Sequence, residues 1–390
     1  MLDVPSVPVK QEGRRLWRFW RRRSAQNQIE RLYYASQGQL IWWRFKKHRL
    51  ALVAMIVLGL MYFVSIFAEF FAPYGVRTRI PGHVDAPPTK IRIYSEDGGF
   101  QRPFIYRLEK RLNRATFRQE WVEDTSVKYP IYFFVRGEPY RLFNLISWDV
   151  KFIGTGVEDV PLLIFGTDRL GRDVFSRTIH GARVSLFIGF GGVFLSFILG
   201  CALGGVSGYF GGIVDEIIQR IIDVLLSMPT IPLWMALAAA IPREWSVTQT
   251  YFAITLVLAV VGWAGLARIV RGKLLSLREA EFILAARAGG VKESRIIVKH
   301  LLPNFLSFLV VHLTLAVPQT ILGETALSFL GLGMQPPAVS WGVLLQEAQN
   351  LAVIAQKPWQ LIPGAFVVVA VLMFSFMGDG LRDAADPYSR

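Results

Sequence analysis

Apolar residues run almost unbroken from Leu50 to Phe71. They recur in five further stretches: Val184–Tyr209, Ile213–Ile241, Tyr251–Val270, Phe305–Gly323 and Trp359–Met377. A helix rises about 1.5 Å per residue, so about 20 apolar residues cross the hydrocarbon of a bilayer. The pattern predicts six transmembrane helices, the first ended by Pro73. The second carries Gly189, Gly191, Gly192, Gly200, Gly204 and Gly205, and small residues let helix backbones approach closely. The third holds Pro229 and Pro232, which predict a kink or break. That break reads either as a packing kink or as a moving element.

Residues 73–182 change character. They hold prolines, glycines, charges of both signs and strand-like runs such as Lys90-Ile91-Arg92-Ile93-Tyr94 and Tyr129 to Val135. No stretch there is long and apolar enough to span. The pattern predicts a folded, β-containing extramembrane insert, with a short helix over 107–123 centred on Leu108 to Phe117. The fold class is therefore an all-α polytopic membrane protein with a β-containing insert after the first span. Its units are a basic amphipathic segment (1–48), the first span (49–72), the insert (73–182) and a five-helix core (183–390).

Composition sharpens this picture. Of 390 residues, 53% are apolar and 18% charged, against about 25% charged in soluble domains. Mean hydropathy is +0.38. Net charge is +14. The basic residues cluster beside apolar runs rather than on a soluble face, which argues for topology control and lipid contact over nucleic-acid binding. Residues 1–48 hold three acids, Asp3, Glu12 and Glu30. The run Arg14 to Arg23 interleaves cations with Trp17, Phe19 and Trp20, a pattern suited to a membrane interface. Both this segment and the apolar run after it are too long for a cleaved signal peptide. The lone Cys201 reads as a small apolar filler.

Positive charge near short loops marks the cytoplasmic side. The N-terminal segment is predicted cytoplasmic, and six spans return the C-terminus there. The loop 271–303 carries Arg271, Lys273, Arg278, Arg287, Lys292, Arg295 and Lys299, and counting spans also makes it cytoplasmic. The insert falls on the far side.

That loop contains Glu279-Ala280-Glu281-Phe282-Ile283-Leu284-Ala285-Ala286-Arg287-Ala288-Gly289-Gly290 and continues through Ile296 to His300-Leu301-Leu302-Pro303. The residues predict a helix–turn–helix, with an Ala-rich first helix stopped by glycines and a second running to Pro303. Such a small-residue helix either inserts into a groove on another protein or is an ordinary surface hairpin. The segment resembles the ATPase-coupling loop of ABC-type importer permeases: Glu-Ala-Ala, three residues, Gly, nine residues, Ile-x-Leu-Pro. Ala285, Ala286, Gly290, Leu302 and Pro303 match, while Leu284 and His300 replace the glutamate and the isoleucine. Glu281, one turn earlier, is the candidate substitute acid.

Three further segments narrow the resemblance to the C-type subunit of oligopeptide and dipeptide permeases. The first runs Gly166-Thr167-Asp168-Arg169-Leu170-Gly171-Arg172-Asp173 and on to Arg177 and Arg183. Its acids and arginines predict a compact ion-pair network at the membrane boundary; a metal held by Asp168 and Asp173 fits less well among so many cations. The second is Gly323-Glu324-Thr325 to Gly333, where Glu324 is an acid at or near membrane depth, either functional or a paired lock between helices. The third is the ending Gly378 to Pro387.

The resemblance implies a permease of the bacterial inner membrane with a periplasmic insert. It implies a second homologous permease, two cytoplasmic ABC ATPases and a periplasmic solute-binding protein as partners, for peptides or similar small solutes. Glu281, Ala285, Ala286, Arg287, Gly290 and Pro303 would couple to the ATPase. Asp168, Arg172, Asp173, Pro229 and Glu324 would serve structure or pathway. No phosphate loop of the Gly-x4-Gly-Lys-Ser/Thr type occurs, so ATP hydrolysis falls to a partner. No cofactor is expected. The alternatives are a membrane-embedded enzyme, for which Glu324, Asp215 and Asp223 are the candidate acids, and an ATP-independent carrier.

Overall fold

The computed structural model describes residues 37–95, 99–114, 117–142, 145–157, 159–277, 279–292, 295–296 and 306–386. The basic run Arg14 to Arg23 and the motif residues His300, Leu302 and Pro303 lie outside them.

Helix α1 (Gln37–Phe45) precedes the first span, α2 (Arg49–Ile66), whose N-terminus is capped by His48 Nδ1 accepting from the Ala51 amide at 3.1 Å. The helix is apolar all round, the signature of a helix not facing water. Ala51, Ala54, Leu58 and Ser65 face the bundle, while Val53, Ile56, Leu60 and Phe63 form an exposed stripe on the other side. The expected single span to Phe71 is interrupted: Phe67 leaves the helical register, and a separate turn, α3 (Ala68–Phe71), follows.

The insert is β-structured. Strands β1 (Arg92–Ser95), β2 (Gly99–Asn113) and β3 (Arg118–Pro130) form one antiparallel sheet, and β4 (Tyr132–Leu142) with β5 (Ile146–Gly154) form a second. The expected helix over 107–123 is absent, and a hairpin stands in its place. Leu108 opposes Glu123 and Lys110 opposes Trp121, and Leu108 is buried beside Ile80, Ala86 and Leu163. Cross-strand pairing and burial of alternate positions override helix propensity here. The expected strand Tyr129 to Val135 is divided between β3 and β4 at the buried Ile131.

Among the described residues, five helices are long and apolar enough to cross a membrane: α2, α4 (Val174–Phe210), α7 (Val247–Leu277), α9 (Leu306–Phe329) and α12 (Ile362–Ala385). The sixth candidate is a pair, α5 (Gly212–Ser227) and α6 (Thr230–Ala239), bent by 96° at Met228–Pro229. Helix α4 starts at Val174, ten residues before the expected Val184, because Asp173 caps it inside a folded turn. Helix α9 runs on past Gly323, which places Glu324 within the helix.

Helix α4 packs along α7, and α9 packs on α12 and α4. The central core joins Leu58, Leu186, Val317, Ile321, Phe374 and the fully buried Trp341 of α10 (Trp341–Ala348), which follows a loop after α9. A short α11 (Leu351–Gln356) leads into α12.

Candidate functional site

At one end of the bundle, the segment after α7 folds into a short helix, α8 (Glu281–Ala288). Its C-terminus is closed by two backbone bonds. Val291 N–H donates to the Ala286 carbonyl at 3.1 Å, and Gly290 N–H donates to that of Arg287 at 2.9 Å. Gly290 sits at φ 71°, where a Cβ would be strained, whereas Gly289 has an ordinary φ of −77°. Of the glycine pair, Gly290 alone makes the left-handed turn.

One face of α8 holds it to the bundle. Ile283 is fully buried against Tyr209, Leu274, Ile296 and Leu309, with Ala286 and Val291 at the edge. Arg287 donates to the Tyr209 hydroxyl at 3.3 Å and lies over that ring. The other face is bare: Glu281, Phe282, Leu284 and Ala285 are exposed, Leu284 to 49%. The ends of α4, α5 and α7 are pinned beneath it. Arg271 grips Asp215 with two bonds of 2.6 Å, Ser207 donates to the same carboxylate, and Arg268 pairs with Asp223. Two of the three acids suspected of membrane-embedded chemistry, Asp215 and Asp223, are thus ion-paired.

The other end carries the Asp168–Arg183 segment. Asp168 Oδ1 accepts from the amides of Leu170 and Arg172 at 2.8 and 2.9 Å, which folds the turn locally. Its Oδ2 accepts from Arg172 Nε at 2.7 Å and Arg177 at 2.6 Å. Both arginines also reach Glu347 on α10, at 2.9 and 2.6 Å. The network is almost wholly buried and balances two cations against two acids. Burial works against the Glu347 carboxylate, but the bonds and charge of Arg177 and Arg172 hold it below the usual range. Removing one partner from such a buried network costs about 3–5 kcal/mol.

The expected network is therefore real but differently composed. Asp173 stands apart from it: its Oδ2 accepts from the Ser176 amide at 2.7 Å and hydroxyl at 2.6 Å, capping α4. Burial pushes Asp173 up to about 6, and its Oδ1 is a buried atom without a partner. Arg183 turns instead to Glu69, with two bonds of 2.7 Å, and Arg169 is exposed. Glu347 and Glu69 were missed from sequence. The signal was there, since four arginines faced only two acids between 168 and 183, a surplus that distant acids had to balance.

Glu324 is fully buried, and its carboxyl accepts from Ser185 at 3.0 Å and Ser328 at 2.8 Å. The same hydroxyls accept from the Trp341 and Met334 amides at 3.1 and 3.0 Å, so one acid organises α4, α9 and the start of α10. Serine hydroxyls on α4 and α9 thus hold this buried acid. Pro229 is exposed at the corner between α5 and α6. Pro303 lies outside the described residues.

Residues 196–390 match the model of the binding-protein-dependent transport system inner membrane component. Residues 36–88 match the N-terminal transmembrane domain of oligopeptide transport permease C. The oligopeptide transport system permease protein OppC of Bacillus subtilis is 32% identical over 348 residues, covering 89% of this chain and 88% of that protein. The dipeptide transport system permease protein DppC of the same organism is 43% identical over 58% of this chain and 69% of that protein. A putative peptide permease protein of Brucella suis is 44% identical over 57% of this chain and 72% of that protein. Among solved structures, the inward-facing MetNI methionine ABC transporter aligns with a TM-score of 0.41 at 21% identity, over 53% of this chain and 96% of that one. The relatives are transport permeases, and the chain belongs with them to the family of binding-protein-dependent transport system inner membrane components, as a permease subunit of an ABC importer.

Proposed function

We propose that this permease imports peptides or similar small solutes across the bacterial inner membrane. It forms the pathway with a second homologous permease, receives solute from a periplasmic binding protein, and is driven by two separate cytoplasmic ATPases seated on α8. Peptides are the solute class because the relatives named above are oligopeptide, dipeptide and putative peptide permeases.

The observation that carries the coupling role is the two-faced build of α8. A helix of eight residues is too short to be stable alone, yet this one is fixed by Ile283 and by its glycine-closed end. Phe282, Leu284 and Ala285 then remain as an exposed apolar surface beside the basic loop. Such a surface fits a groove on a partner, and leucine at 284 makes the contact apolar where related permeases carry a glutamate. Glu281 at the first turn supplies the acid. Movement of the ATPases would push α8 and, through Tyr209 and the Arg271–Asp215 pair, the ends of α4, α5 and α7.

The same geometry supports placing the two ends of the chain on one side. Arg44 donates to the Asp386 carbonyl at 2.8 Å, so the chain before α2 and the chain after α12 leave the bundle together. In this reading both termini and α8 are cytoplasmic, and 73–182 is a periplasmic unit between the first span and the core.

Gly290→Val tests the coupling role. Open space surrounds Gly290, so the variant strains only the turn. Uptake of labelled peptide should fall by roughly 5- to 150-fold, the range of a lost coupling energy of about 1–3 kcal/mol, while membrane levels of the protein stay normal. Unchanged uptake would remove the role assigned to that turn.

A further inference from the structure

The hairpin β4–β5 is fastened to the end of the first span by polar and aromatic contacts. Lys151 Nζ donates to the Glu69 carbonyl at 2.9 Å. Glu138 accepts from the Gly75 amide at 3.1 Å and from Thr78 Oγ1 at 2.8 Å. Beside these ties runs a chain of phenylalanine rings. Phe63 of α2 meets Phe67 and Phe71 at centroid distances of 5.0 and 5.8 Å. Phe71 and Phe70 meet Phe152 of β5 at 5.2 and 5.8 Å. Phe152 in turn meets Phe133 and Phe134 of β4 at 5.5 and 6.1 Å.

This path begins on the exposed stripe of α2, which a spanning helix presents to hydrocarbon, and reaches the hairpin without a break. Phe134 adopts φ 58°, a left-handed conformation that a bulky residue rarely takes. Strand alternation would send neighbours 133 and 134 to opposite faces; the turn lets both rings meet Phe152. Both stay open to their surroundings, 58% for Phe133 and 66% for Phe134. Alternation along β5 then carries the Phe152 face outward to Trp148 and Ile146, which are exposed, as is Leu145 at the turn. Arg136 on β4, opposite Val150 of that face, is exposed as well. Exposed aromatics beside a span end, with an arginine among them, have the composition of a membrane–water interface.

We infer that β4–β5 is a lipid-binding collar: its Phe152–Trp148–Ile146 face lies in the headgroup layer at the α3 end of the first span. The occupant is the bilayer surface, because the apolar face continues a lipid-facing stripe and is held to that helix end by fixed bonds. Seated this way, the collar sets the depth of the first span and resists its tilt.

The test places a single cysteine at 146 or 148 (Ile146→Cys or Trp148→Cys) in a Cys201→Ala background. The full chain is labelled with bimane and reconstituted in phosphatidylcholine–phosphatidylglycerol vesicles. Both exposed positions accept the change without touching the core. Blue-shifted emission, loss of intensity with shallow-doxyl lipid and resistance to iodide at both positions are expected. Iodide quenching at either position overturns the proposal. So does protection that appears only when the solute-binding protein is added, which would make this face a protein dock. The readout needs no transport, so a failure here leaves the coupling role of α8 untouched.

Discussion

Asp173 and Glu347 respond to acid in opposite senses. Asp173 is an acid whose folded pKa, raised to about 6, lies above its unfolded value. The proton favours the fold, so its contribution is complete below the ordinary aspartate value of about 3.9 and is lost as pH rises through about 6. Glu347 is lowered, so its contribution is present above the ordinary glutamate value and is lost as pH falls. Asp173→Asn retains a carbonyl acceptor for the Ser176 amide and removes one titration. The stability of Asp173→Asn relative to the parent should therefore rise by about 3 kcal/mol between about pH 4 and about pH 8. Thermal unfolding of the detergent-solubilised protein reads this, and a pH-independent difference contradicts it. At this scale the sequence was only partly legible. The residue types of the Asp168–Arg177 turn announced an ion-pair network, but a partner 170 positions away, such as Glu347, appears only once α10 folds back onto α4.

At the scale of elements, the interface between α4 and α7 rests on a ladder of glycines. A Cβ on Gly200 would meet the Leu266 side chain at 2.9 Å, and one on Gly208 would meet the Arg271 carbonyl oxygen at 2.8 Å. Gly204 lies between them against the Ala267 backbone. The spacing of four keeps all three on one helix face. Gly205, one residue off the ladder, faces open space. Gly208→Ala should destabilise by about 1–3 kcal/mol, because the obstructing atoms are backbone. Gly205→Ala should be neutral or stabilising by up to about 1 kcal/mol, through helix propensity alone. Equal effects of the two substitutions on thermal stability would show that the close approach is not real. Glycine richness was plain from sequence, but which glycines matter depends on the helix they face. The insert taught the reverse lesson: residues 107–123 look helical by composition, and pairing of Leu108 with Glu123 across a hairpin decides otherwise. The break at Pro229 was predictable from proline chemistry, whereas its 96° angle was not.

Over the whole molecule, hydropathy alone located the spans, since a run of about 20 apolar residues has few other uses. Their ends shifted by up to ten residues, as with α4, because caps and local turns, not hydropathy, stop a helix. The molecule then reads as two differently built ends joined by a bundle. One end is locked by the buried Asp168–Arg172–Arg177–Glu347 network. The other carries α8, held on one face and bare on the other. That asymmetry suits a machine moved from one side. The most direct test puts a cysteine at 285 (Ala285→Cys, Cys201→Ala) and joins it by a short cross-linker to the ATPase subunit in the assembled transporter. The account predicts a cross-link to the ATPase whose yield changes with ATP. A label at 285 that reaches only lipid, or that reacts with an impermeant reagent from outside the cell, would contradict it.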